Sequence, residues 1–121
     1  MPRVLVADDD PSILAVVREA LDFMGYQVQA VADGVEALRA LEADPHPCLL
    51  LLDMRMPRLD GWGVSQAMQE RGWQITTCVM TAAQDAGAWA REIGAAAVLP
   101  KPFDLADLVA VVEQHCGTAA A

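Results

Sequence analysis

Six polar residues stand where their types and spacing could do chemistry. Three acids run together as Asp8-Asp9-Asp10, directly behind the apolar stretch RVLVA. A fourth acid, Asp53, ends the run CLLLL. Thr81 closes a further apolar stretch, CVM, and Lys101 lies between Pro100 and Pro102. If each follows a strand of one sheet, all converge on one edge. Carboxylates brought that close repel, and one is forced toward its protonated form unless a cation joins them. Mg²⁺ answers that need, because it takes oxygen ligands, binds one or two carboxylates and keeps room for waters and a phosphoryl oxygen. A lysine ammonium is a point charge suited to an anionic oxygen, and a threonine hydroxyl can donate to one. The set reads as a pocket for a phosphoryl group with Mg²⁺. There is no GxxxxGK[ST] or GxGxxG loop to hold a nucleotide. The remaining route is covalent, with a carboxylate as nucleophile and an aspartyl phosphate as product.

The elements that must position these residues alternate along the chain. Residues 3–8, 26–32, 48–53, 75–81 and 95–99 read as strands, short and rich in aliphatic side chains. Helices are expected between and after them. Asp10-Pro11 gives an N-cap followed by proline at the first helical position, ahead of Ile13, Leu14, Val17 and Leu21 on one face. Asp33 with Glu36 resembles a capping box. Asp60-Gly61 opens a third helix, a short fourth covers about 85–93, and Asp104 caps a fifth bearing Leu105, Leu108, Val109 and Val112. Five βα units imply an α/β fold, a parallel sheet with helices on both faces, and ligands bind such sheets at the carboxyl ends of the strands. Met56-Pro57 and Asp60-Gly61 then turn the chain away from Asp53 and leave that edge open.

Composition narrows the class. The 121 residues suit one domain with a core of its own, here residues 1–116, with 117–121 as a tail or linker stump. Hydrophobic content is 55% and the net charge is −9, which argues against a phosphate-backbone binder and for partners or ligands that bring positive charge. No apolar run reaches transmembrane length and no leader is visible. Cys48, Cys78 and Cys116 form no zinc pattern. Cys48 and Cys78 sit in apolar runs and read as small core hydrophobes. The odd count suggests no disulfide framework and a reducing, cytoplasmic compartment.

Four stretches, VLVADDD, LLLLDMRMPRLDG, VMTA and LPKPF, occur in this order across nearly the whole chain. Together they make it resemble the receiver domains of two-component response regulators. The resemblance implies a flavodoxin-like (βα)5 fold with strand order 2-1-3-4-5. It implies that Asp53 is the phosphoacceptor and a Mg²⁺ ligand, beside Asp9, with Asp8 acting mostly through a bound water and the backbone carbonyl of Arg55 completing the protein ligands. Lys101 would contact the phosphoryl oxygens, Thr81 would couple the phosphoryl group to a loop movement, and the Lys101-Pro102 peptide would be cis. The donor would be a sensor histidine kinase or a histidine phosphotransfer protein, and the output partner or domain is unnamed. Such a domain catalyses only its own phosphorylation and dephosphorylation, binds neither nucleic acid nor membrane itself, and can dimerise through the fourth and fifth helices.

The chain also departs from that pattern. Val98 stands where many receivers carry an aromatic ring that moves with the threonine, and the fourth helix is short. Arg55 puts a long cation two residues past Asp53, where it would alter the lifetime of the phosphoryl group. These features leave a second reading, a phosphate-independent interaction module of the same shape. A phosphatase of the haloacid dehalogenase type would need an acid at Arg55. A flavin carrier would need a hydroxyl-rich loop where Asp8-Asp9-Asp10 stands.

Overall fold

The structure, a computed structural model, describes residues 2–43, 45–82 and 84–117. Five parallel strands, β1 (Arg3–Ala7), β2 (Gln27–Val31), β3 (Leu49–Asp53), β4 (Thr77–Thr81) and β5 (Ala97–Pro100), form one sheet of order β2-β1-β3-β4-β5. The helices are α1 (Pro11–Phe23), α2 (Gly34–Glu42), α3 (Gly61–Glu70), α4 (Ala86–Ile93) and α5 (Leu105–Cys116). Fold class and strand order are those the sequence led us to expect. β1 to β4 are one or two residues shorter than the stretches expected, and β5 starts two residues later and runs on to Pro100.

Strand alternation divides the core into two layers. Leu5, Ala7, Leu50, Leu52 and Val79 point to one face, where Ala37 and Leu41 of α2, Val64 and Met68 of α3 and Ala90 of α4 cover them. Val4, Val6, Leu49, Leu51, Cys78 and Met80 point to the other, under Val17 and Leu21 of α1 and Leu108 and Val112 of α5. Leu49 through Leu52 are fully buried, each stabilising the fold by roughly 1.5–3 kcal/mol. This is why β3 has no polar residue before Asp53: both of its faces are covered. β2 and β5 lie at the edges and are only partly buried, whereas the central three strands are buried along nearly their whole length.

Local chemistry sets the helix starts. The carboxylates of Asp10, Asp33 and Asp60 accept from the amides of Ser12, Glu36 and Gly63, each satisfying a donor the first turn leaves free. Glu36 Oε2 returns to the amide of Ala32, one residue before the expected partner. Asp104 stands at the N-cap of α5 without a side-chain cap bond, which corrects the expectation of a cap there. Gly94 ends α4 in the left-handed conformation that glycine adopts without penalty.

The cysteines require a larger correction. Cys48 and Cys116 form a disulfide with Cα atoms 5.4 Å apart. Topology explains it. A helix that follows a parallel strand runs back to the amino edge of the sheet, so α5 ends where β3 begins. Cys48 is therefore a staple rather than a core hydrophobe, and the cysteines give no argument for a reducing compartment. Cys78 keeps the role expected of it, a free buried thiol whose pKa burial pushes up to about 12. Beside the staple, the Tyr26 hydroxyl donates to the carbonyl of Gly117. The remainder of the expected tail, 118–121, lies outside the described residues.

Candidate functional site

The expected residues meet at the carboxyl edge of the sheet. Asp8 follows β1 directly, with its amide bonded to the carbonyl of Val31 at 3.1 Å, and is fully buried. Its Oδ1 accepts from the amide of Asp10 at 2.9 Å, so Asp10 serves the turn and α1 rather than the cluster. Asp53 is the last residue of β3, paired with Met80 of β4 and 6% exposed. Asp9 is exposed. Oxygen atoms of Asp8, Asp9 and Asp53 all lie within 4.8 Å of one another.

Thr81 ends β4 and is buried. Its carbonyl accepts from the amide of Lys101 at 3.0 Å, which continues the β4–β5 pairing. The next peptide, Lys101-Pro102, is cis, as expected. Lys101 Nζ pairs with Asp8 Oδ2 and lies 3.6 Å from Asp53 Oδ2. The loop behind Asp53 folds back sharply, with the Gly61 amide on the Met54 carbonyl. A Cβ at Gly61 would come within 2.5 Å of Met54 Sδ and 2.8 Å of Met54 Cα, so only glycine fits there. The result is an open cavity of about 540 Å³ lined by Asp9, Asp53, Arg55, Thr81, Ala82 and Lys101.

The electrostatics follow from burial. Removal from water, more than any other cause, raises the pKa of Asp53 to about 6, and the neighbouring charge of Asp8 adds to it. Lys101 and the amide of Arg55, 3.3 Å from Asp53 Oδ1, act in the opposite direction, and Asp9 raises the value slightly. Near neutral pH the cluster thus holds its negative charge at a cost. A hard divalent cation would offset that cost, and the donor set, carboxylate oxygens of Asp8, Asp9 and Asp53 gathered within 4.8 Å of one another, fits Mg²⁺.

Two arrangements here were not anticipated. The Arg55 guanidinium lies over the indole of Trp89, 5.2 Å from the ring centroid. Trp89 meets Trp62 edge to face, with centroids 4.8 Å apart, and Trp62 Nε1 donates to Glu92 Oε2 at 2.9 Å. Trp89 is half-buried against the core and also holds a cation.

An open parallel sheet with an acidic cluster, a hydroxyl and a lysine gathered at its carboxyl edge defines a narrow class of signalling domain. The sequence profile of the response regulator receiver domain family matches residues 4–113, and the chain belongs to that family. It is 40% identical over 110 residues to the response regulator MprA of Mycobacterium ulcerans, covering 89% of this chain and 47% of that protein. It is likewise 40% identical over 114 residues to the transcriptional regulatory protein PrrA of Mycobacterium tuberculosis, covering 93% and 48%. The chain spans about half the length of these curated relatives. Among solved structures it superimposes on the receiver domain of a sensor histidine kinase from Pseudomonas aeruginosa, solved with a magnesium ion coordinated in its active-site cleft, at TM-score 0.83 and 28% identity over 96% of this chain and 98% of that one. A response regulator structure from Chloroflexus aurantiacus gives 0.84 and 29% over 96% and 98%. The chain is a response regulator receiver domain of two-component signalling. No helix among the described residues is long and apolar enough to cross a membrane.

Proposed function

We propose that Asp53 is the residue this receiver phosphorylates, with Mg²⁺ held by Asp8, Asp9, Asp53 and the backbone carbonyl of Arg55. The observation that carries the reading is the placement of Asp53: rigid at the end of a fully buried strand, among two other carboxylates, and 3.6 Å from a lysine ammonium. A nucleophile fixed in this way loses little freedom on the way to reaction. The phosphoryl group moves from a phosphohistidine nitrogen of the partner to a carboxylate oxygen of Asp53. The P–N bond breaks as the O–P bond forms, and the leaving imidazole keeps the electron pair and takes a proton. Lys101, bonded to Asp8 in this structure, is close enough to Asp53 to meet charge on the transferred oxygens. Thr81 lines the same cavity and offers a hydroxyl to the phosphoryl group. Bound Mg²⁺ would neutralise carboxylate and phosphoryl charge. Hydrolysis of the acyl phosphate resets the domain, which acts on no other substrate.

The donor in this reading is a sensor histidine kinase or histidine phosphotransfer protein in the cytoplasm, and the domain proper is 1–116. The output is a partner or attached domain biased by the phosphoryl state, with α4 and α5 available for dimerisation. Intact-mass spectrometry after incubation with acetyl phosphate and Mg²⁺ tests the assignment. One phosphoryl adduct, dependent on Mg²⁺ and absent in Asp53→Asn, is expected. An adduct that survives in Asp53→Asn would move the site elsewhere.

A further inference from the structure

Arg55 lines the cavity that holds Asp9 and Asp53, yet its guanidinium forms no ion pair among the described residues; it rests on Trp89 of α4 instead. Its backbone is fixed by the bond from its amide to Asp53 Oδ1, while the residue as a whole is exposed. The side chain can therefore swing about a fixed root. The indole it covers meets Trp62 of α3 edge to face, and Trp62 Nε1 donates to Glu92 of α4. The helix itself is lightly anchored: eight residues, no side-chain cap bond at Asp85, and Gly87 in its first turn.

We propose that Arg55 and Trp89 form the arm that carries the state of Asp53 to α4, the guanidinium lying on the indole beside the free carboxylate and leaving it for the phosphoryl oxygens once Asp53 is phosphorylated. The inference rests on Asp53 being the phosphoacceptor. Its physical basis is a competition for one cation. The face of an indole attracts a guanidinium modestly at a half-open site. A phosphoryl group adds a further charge and three strong acceptors, and guanidinium binds such oxygens in bidentate geometry. Two carboxylates have not drawn Arg55 off the ring, and Lys101 already serves both Asp8 and Asp53. The phosphoryl group would change that balance and uncover the Trp62–Trp89 face between α3 and α4. In this chain Val98, half-buried on β5, offers no ring of its own to report the change.

The test is the indole N–H resonance of Trp89 in ¹⁵N-labelled protein, assigned by its loss in Trp89→Phe. Spectra are compared before and after acetyl phosphate with Mg²⁺, and intact mass is read on the same sample. The resonance is expected to shift on phosphorylation of the wild type. In Arg55→Gln it should start near the phosphorylated position and stay there although the adduct forms. Arg55→Lys, which keeps a cation, should recover part of the shift. An adduct with an unmoved Trp89 resonance in the wild type, or with an equal shift in Arg55→Gln, would overturn the arm. Failure of any Asp53-dependent adduct would overturn the phosphoacceptor reading, and the arm with it.

Discussion

Asp53→Asn in the metal-free protein should make the fold more stable, because burial and Asp8 make the Asp53 charge costly. The carboxyl rises from an ordinary 3.8 to about 6, which corresponds to roughly 3 kcal/mol against the ionised form in the folded state, the attraction of Lys101 already included. Asparagine has the shape of the neutral acid and carries none of that cost. Coupling to Asp8 shares the penalty between two groups, so a gain of roughly 2 kcal/mol is the expectation, or on the order of 8 °C in Tm for a domain of this size. The pH dependence supplies the sign. The folded pKa lies above the unfolded one, so the native state binds more protons between pH 4 and 6, and wild-type stability falls through that window as Asp53 ionises. Above it the cost is fully present. The difference between Asp53→Asn and wild type should therefore be small near pH 4, grow to about pH 6 and stay level to pH 8. Urea unfolding followed by circular dichroism in EDTA, at half-unit pH steps, measures it. A variant less stable than wild type at pH 7.5, or a difference independent of pH, would refute the reasoning.

Other expectations follow from single features. Lys101→Met removes a cation that favours the Asp53 carboxylate, so its carboxyl ¹³C titration should move above the wild-type value of about 6; a move downward would contradict the geometry. Gly61→Ala forces a methyl group into Met54 and should cost about 1–3 kcal/mol by chemical denaturation, although alanine is the better helix former. Reduction of the Cys48–Cys116 bond, or Cys116→Ser, reopens a loop of 68 residues and should lower stability by about 4 kcal/mol in the chain-entropy account. Calorimetry with and without a phosphine reductant reads that loss, and a Cys48→Ser/Cys116→Ser protein should not respond to the reductant.

Much of this was legible in the sequence for a physical reason. A parallel strand covered on both faces must be apolar throughout, so the acid that ends LLLL marks the sheet edge as clearly as coordinates do. Asp10-Pro11 and Asp60-Gly61 announce helix starts because a cap is a local interaction. What the sequence concealed was non-local. Cys48 reads as core because its neighbours are apolar, and its partner lies 68 residues away on a helix whose end meets β3 only once the sheet is assembled. The direction of α5 could have suggested the pair, since α5 must return to the edge where β3 begins. Arg55 on Trp89 carried no such hint: it depends on where a long side chain from the loop after β3 settles against α4. The missing cap at α5 has a similar lesson, because an aspartate at the right position does not have to turn its carboxylate to the helix.

The staple and the acidic cluster occupy the two ends of one strand. Cys48 stands five residues before Asp53 along this extended stretch, so the two lie about 17 Å apart. Opening the disulfide adds no carboxylate and moves no oxygen of the cluster, and the whole buried strand separates the two groups. The domain can thus carry two independent covalent marks, a thiol pair open or closed and, on the reading above, an acid free or phosphorylated. That makes four species from one chain, each with its own mass, so a single spectrum of protein drawn from a cell would record its redox history and its signalling history together.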